Sequence, residues 1–222
     1  MSSAPDADAA KEAVSAKGDV DAVVAAALTD ASPGCRRFVS WILSQKFEVV
    51  VFDMDQTMGG GHCGPGLPRE QVSEYIAKAS PDFIEASKIL SKVPGVKLAV
   101  ATMSDPAEYE LEGQSRETHI LGPDLAMELI RQCCPEAEAA FEFQVGLDHE
   151  LHKDIPKELG KSWHMRQIAE YYCAPFERMV LFDDSARNLQ NKDGWRGILV
   201  RNPRVGFRFE DCIEHTMTEE VD

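Results

Sequence analysis

Asp53 and Asp55 stand two residues apart in the stretch Asp53-Met54-Asp55-Gln56-Thr57, directly after the apolar run Val49-Val50-Val51-Phe52. As a chain leaves a strand, residues i and i+2 point to the same side, so both carboxylates face one site. One can then act as a nucleophile while the other handles a proton. Further along, Thr102 closes a second apolar run, Asp183-Asp184 closes a later one, and Lys161 opens the helical pattern that leads into it. Carboxylates brought this close repel one another, and burying them is costly unless a cation sits among them. Their oxygens are hard ligands, which favours Mg²⁺ over zinc or copper. A lone acidic pair is a common turn; the pair together with Thr102, Lys161 and Asp183-Asp184 points to chemistry.

The elements that must position these residues are legible as short apolar runs alternating with helical patterns. The runs are Val49–Phe52, Leu98–Ala101, Phe141–Val145, Met179–Phe182 and Ile198–Val200. Helices are expected at Val20–Leu28, Cys35–Phe47, Pro68–Ala79, Asp82–Lys92, Pro123–Cys133 and Lys161–Tyr172. Continuous apolar runs between helices indicate a parallel sheet covered on both faces. The fold class is therefore a doubly wound α/β domain with a mostly parallel sheet of about five strands. In such sheets ligands bind at the carboxyl ends of the strands, which is where the acidic residues, Thr102 and Lys161 fall.

With these residues in place, the chain resembles the haloacid dehalogenase superfamily of phosphotransferases. Its four motifs read VVFDMDQT, LAVAT ending in Thr102, Lys161, and VLFDDSARN, within about residues 48–200. Gly160-Lys161-Ser162-Trp163-His164 followed by FERMVLFDDSARN looks like the capless magnesium-dependent phosphatase branch. The resemblance implies that Asp53 attacks phosphorus in line to form an aspartyl-phosphate. It implies that Asp55 protonates the leaving oxygen and later takes a proton from water. Mg²⁺ would be held by Asp53, the backbone carbonyl of Asp55 and Asp183, with Asp184 as a further or alternative ligand. Thr102 and Lys161 would hold phosphoryl oxygens and offset charge in the transition state. Members without an acid at the second aspartate do other chemistry, so Asp55 implies phosphate esters. Only 44 residues separate Thr57 from Thr102, and 58 separate Thr102 from Lys161, so no large cap is expected. The implied substrate is a phosphoprotein or a small phosphate ester.

The composition bounds the rest. The 222 residues carry 23 Lys and Arg against 38 Asp and Glu, a formal charge of −15, which disfavours a nucleic-acid partner. No apolar run is long enough to span a bilayer, and the six cysteines show neither a CxxC pair nor zinc spacing, so a cytoplasmic protein with free thiols is expected. Residues 1–20 read as a mobile tail, 21–208 as one domain and 209–222 as an acidic tail. The glycine-rich stretch Gly59–Gly66 reads as a flap and lacks the ending of a P-loop. His62 in that stretch reads as an exposed loop residue, His164 as a packing residue, and Arg196, Arg201, Arg204 and Arg208 as a solvated basic run. Two rival readings use the same fold. A receiver-like phospho-acceptor carries its acidic pair on the first strand, whereas here the pair comes last; the other rival is a catalytically inactive binding module.

Overall fold

Val49, Val50, Val51 and Phe52 are apolar on both sides of a strand, and a strand of that kind belongs at the centre of a sheet. In the computed structural model, which describes residues 19–64, 66–110 and 113–212, that is where it lies. Strand β1 (Val49–Phe52) is flanked by β3 (Lys97–Thr102) and β6 (Met179–Asp183), with β5 (Phe143–Gly146) outside β3 and β7 (Arg196–Leu199) outside β6. All four pairings are parallel. The five expected apolar runs thus form one five-stranded α/β sheet, and no large cap is evident among the described residues.

Alternation along the strands divides the core in two. Val50, Phe52, Leu98, Val100, Val180 and Phe182 face one layer, and Val49, Val51, Ala99, Ala101, Met179 and Leu181 face the other. The first layer is covered by α2 (Pro33–Ser44), α4 (Pro81–Leu90) and α5 (Gly122–Cys133), through residues such as Phe38, Ile42, Phe83 and Leu125. The second is covered by α6 (Ser162–Tyr172), through Met165 and Ile168. Helices α2 and α4 start where serine side chains cap them: Ser32 Oγ accepts from the Cys35 N–H and Ser80 Oγ from the Phe83 N–H. An earlier helix, α1, covers 19–27, matching the expected segment.

Some expectations shift. The Pro68–Ala79 helix is shorter: Leu67–Pro68 forms β2, a 3₁₀ turn covers Arg69–Gln71, and α3 is only Val72–Ile76. Pro68 adopts extended backbone (φ −55°, ψ 137°) and pairs antiparallel with β4 (His119–Ile120). The third run begins its pairing at Phe143, because Phe141 is buried beneath the sheet against Phe83. Residues 209–212 do not behave as a tail, since Phe209 and Cys212 are buried in the core and Phe209 contacts Phe38 and Phe207. Residues 19 and 20 of the expected 1–20 tail begin α1; residues 1–18, and the remainder of the acidic end at 213–222, lie outside the described residues. No helix among the described residues is long and apolar enough to cross a membrane.

Candidate active site

Asp53 follows β1 and stays attached to the sheet, its N–H donating to the Phe182 carbonyl at 2.9 Å. Its side chain is buried, and Lys161 Nζ donates both to Asp53 Oδ1 and to the Ala101 carbonyl. The same ammonium stands 3.1 Å from Asp183 Oδ2. Lys161, at the N-cap of α6, is fully buried, so its charge has no access to water. Burial alone would lower its pKa, but Asp183 and Asp53 outweigh that and raise it, keeping the ammonium charged. For Asp53, burial is the largest influence and raises its pKa well above the ordinary value; Lys161 opposes this, and Asp183 and Asp55 add to it.

The loop after β6 ties the acidic pair to the lysine. Asp183 Oδ1 accepts from the Ser185 N–H at 2.8 Å, and Asn188 Nδ2 donates to both Asp183 oxygens at 3.1 and 3.2 Å. The Asn188 carbonyl in turn accepts from the Lys161 N–H at 3.0 Å. Gly160 makes that approach feasible: it has φ +50°, and a Cβ there would strike the Arg187 and Asn188 carbonyls. Asp184 is half-buried, and burial followed by the Asp183 charge raises its pKa. Ligand oxygens of Asp53, Asp183 and Asp184 all lie within 4.8 Å of one another. Three carboxylates share one ammonium, so a divalent cation with a preference for oxygen fits both the charge and the donors. Mg²⁺ satisfies that description.

Asp55 is placed differently. Its carboxylate lies outside that group and is gripped from the other side: the Cys63 N–H donates to both oxygens at 3.1 Å, and the Tyr75 hydroxyl donates to Oδ1 at 2.8 Å. His62 Nδ1 sits 2.9 Å from Oδ2. The expected flap is tied down at its start, since the Gly60 N–H donates to the Lys78 carbonyl at 2.9 Å and Gly59 bridges to Ala79. Thr102 closes β3, buried, with Oγ1 accepting from the Ser104 N–H at 3.1 Å and its carbonyl bonded to His164 Nε2 at 3.0 Å. His164 is therefore a packed residue, as its position in the sequence suggested. In the basic run, Arg208 pairs with Asp82 at 3.0 Å.

The structure thus brings Asp53, Lys161, Asp183 and Asp184 into one cluster, with Thr102 at the adjoining strand end and Asp55 at its mouth. Tyr75 has no motif that marks it, lying 20 residues from its partner Asp55. His62 carries a local signal, its closeness to the acidic motif, but its contact with Asp55 depends on the turn of the loop.

No family model matches the chain, and no curated protein matches it. Among solved structures, a haloacid dehalogenase-like hydrolase from Streptococcus pneumoniae is similar at 14 % identity and TM-score 0.43, over 77 % of this chain and 91 % of its own. The N-terminal part of a Bacteroides fragilis protein, containing a phosphatase domain complexed with Mg, is similar at 16 % identity and TM-score 0.46, over 82 % of this chain and 42 % of that one. An uncharacterised Listeria monocytogenes protein is similar at 14 % identity and TM-score 0.41, over 78 % of this chain and 98 % of its own.

Proposed function

We propose that this chain is a Mg²⁺-dependent phosphatase of the haloacid dehalogenase type, hydrolysing phosphate monoesters through an aspartyl-phosphate on Asp53. The observation that carries the reading is the division of labour between two neighbouring aspartates. Asp53 is buried against Lys161 and the Asp183-Asp184 pair, whereas Asp55 is held apart by Tyr75, His62 and the Cys63 N–H. In the first step an Asp53 oxygen bonds to phosphorus as the bond to the leaving oxygen breaks, and Asp55 gives that oxygen its proton. In the second step water bonds to phosphorus, Asp55 takes a proton from it, and the Asp53–phosphorus bond breaks to release phosphate. Lys161 and Thr102 hold the phosphoryl oxygens between these events. Asp53, Asp183 and Asp184, with the Asp55 carbonyl, would hold Mg²⁺, which would neutralise charge at the transferring phosphoryl group.

The substrate class is a phosphorylated small molecule or protein. The test is hydrolysis of an aryl phosphate with Mg²⁺ and with chelator, for the wild type and Asp53→Asn. Turnover that needs Mg²⁺ and falls at least about a thousandfold in the variant is expected. A stable phosphorylated protein without turnover would instead mark a phospho-acceptor domain. Neither turnover nor phosphorylation, with folded protein, would leave a binding module.

A further inference from the structure

The two oxygens of Asp55 have unlike neighbours, and the difference decides which of them meets a substrate. Oδ1 accepts from the Tyr75 hydroxyl at 2.8 Å, and Tyr75 is buried, so that side is closed. Oδ2 has His62 Nδ1 at 2.9 Å, and the His62 side chain is 65 % exposed. Asp55, His62, Met103 and Ser104 share the lining of a cleft of about 300 Å³, which puts Oδ2 on the open side. In the proposed first step, the proton that goes to the leaving oxygen therefore sits on Oδ2.

A carboxyl group delivers a proton well only when its oxygen is held within hydrogen-bond reach of the target by groups that are themselves fixed. An exposed imidazole is free to swing and fixes nothing. The buried neighbour of Oδ2 is the Cys63 thiol, at 3.3 Å. A thiol has one proton to give and a sulphur that also accepts weakly. The Gly64 carbonyl and Ser104 Oγ both lie 3.6 Å from that sulphur, but the carboxylate is nearer and charged, so the S–H points to Asp55. Ser104 backs the sulphur from behind. Its Oγ accepts from the Gly122 N–H at 2.9 Å, which leaves its own proton for the sulphur. Ser104 is buried and fixed in turn: its N–H donates to Thr102 Oγ1 at 3.1 Å, and a Cβ on Gly122 or Gly146 would strike its carbonyl. The chain runs from the Gly122 N–H through Ser104 and Cys63 to Asp55, with every proton directed the same way, so each bond strengthens the next.

We infer that Cys63 is a positioning residue whose thiol, backed by Ser104, aims Asp55 Oδ2 at the leaving oxygen. The thiol proton stays on sulphur throughout. The proton that moves is the one on Asp55, which passes to the leaving oxygen as the bond from that oxygen to phosphorus breaks. This deepens the phosphatase reading and rests on it. The test is kcat/KM with Mg²⁺ for p-nitrophenyl phosphate, whose leaving group departs readily as an anion, and for phenyl phosphate, whose leaving oxygen needs the proton more. Cys63→Ala is expected to lower kcat/KM about three- to tenfold more for phenyl phosphate than for p-nitrophenyl phosphate. Cys63→Ser keeps a donor and an acceptor and is expected to return that ratio to within about twofold of the wild type. Ser104→Ala is expected to shift the ratio in the same direction, about two- to threefold, and serves in place of Cys63→Ala if that variant does not fold. A ratio between two esters is independent of the amount of active protein, so partial unfolding does not imitate the effect. An unchanged ratio in the folded variant, or a Cys63→Ser ratio equal to that of Cys63→Ala, would overturn the inference and leave the phosphatase reading standing. Hydrolysis of p-nitrophenyl phosphate alone by the wild type would overturn it as well, since no acid would then assist departure. Hydrolysis of neither ester would overturn the phosphatase reading and the inference with it.

Discussion

Asp53 and Asp55 come from one short motif, yet their surroundings give them different chemistry. Asp53 meets a buried ammonium, whereas Asp55 is held at the rim by the Cys63 N–H and thiol and the Tyr75 hydroxyl, with His62 beside it. Tyr75 is firmly placed, since it is 5 % exposed and its ring packs on Gly61, where a Cβ would strike it. Tyr75→Phe removes only the hydroxyl that orients the Asp55 carboxylate. Hydrogen bonds to charged groups contribute about 1.5–3 kcal/mol, so kcat is expected to fall roughly ten- to a hundredfold. KM should change little, because in the proposed mechanism the phosphoryl group is held by Thr102 and Lys161 rather than by Tyr75. Steady-state kinetics decides; a KM effect with unchanged kcat would place Tyr75 in binding instead. The aspartates and Thr102 were legible because each ends an apolar run, and Lys161 because it opens a helical pattern. Tyr75 was not, because its contact with Asp55 arises only when α3 packs back against the end of β1.

At the level of elements, the strands could be read because burial on both faces demands unbroken apolar runs, and β1, β3 and β6 have them. The β2–β4 ribbon could not, since two residues per strand leave no periodicity to detect. Phe141 shows the same limit in another form: its apolarity is real, but it serves the layer beneath the sheet rather than the ladder. The junction at Gly160 bears directly on where Lys161 sits. There the start of α6 meets the loop after β6, and the left-handed backbone at φ +50° brings Lys161 within reach of the acidic pair. Gly160→Ala puts a Cβ against two carbonyls in a conformation that itself costs about 1–2 kcal/mol for an L-residue. Urea unfolding is expected to show at least that loss, accompanied by a drop in turnover as Lys161 shifts. Unchanged stability would mean that the loop yields freely and does not position the lysine.

The whole molecule carries a formal charge of −15, and its buried ionisable groups make its stability depend on pH. His164 is buried, which lowers its pKa from 6.5 to about 3, with Lys161 contributing in the same direction. The unfolded chain therefore takes up a proton that the folded chain refuses between those values. Its stabilising contribution is full above about pH 6.5 and is lost as pH falls toward 3, at up to about 1.4 kcal/mol per pH unit. Asp184, Asp211 and Glu108 have raised pKa values, so they favour the folded state at lower pH and oppose this trend. The comparison that isolates His164 is urea unfolding at pH 7.5, 6 and 5 for wild type and His164→Gln, whose amide can still donate to the Thr102 carbonyl. The wild type is expected to lose more stability than the variant over that range, and parallel curves would contradict the assignment.

The proposed metal would act on the same balance from the other side. Asp53, Asp183 and Asp184 crowd one ammonium, and a cation that binds only the folded arrangement must raise its stability. At a hundred times its Kd, Mg²⁺ contributes about 2.7 kcal/mol, or a rise in Tm of roughly 5–10 °C for a domain of this size. General screening of a chain this acidic also stabilises it, so the control is NaCl at matched ionic strength. The expected result is a saturable Mg²⁺ shift well beyond the NaCl shift, lost in Asp183→Asn. Equal shifts in both salts would show that the three carboxylates hold no specific ion, and the proposed phosphatase chemistry would lose its metal.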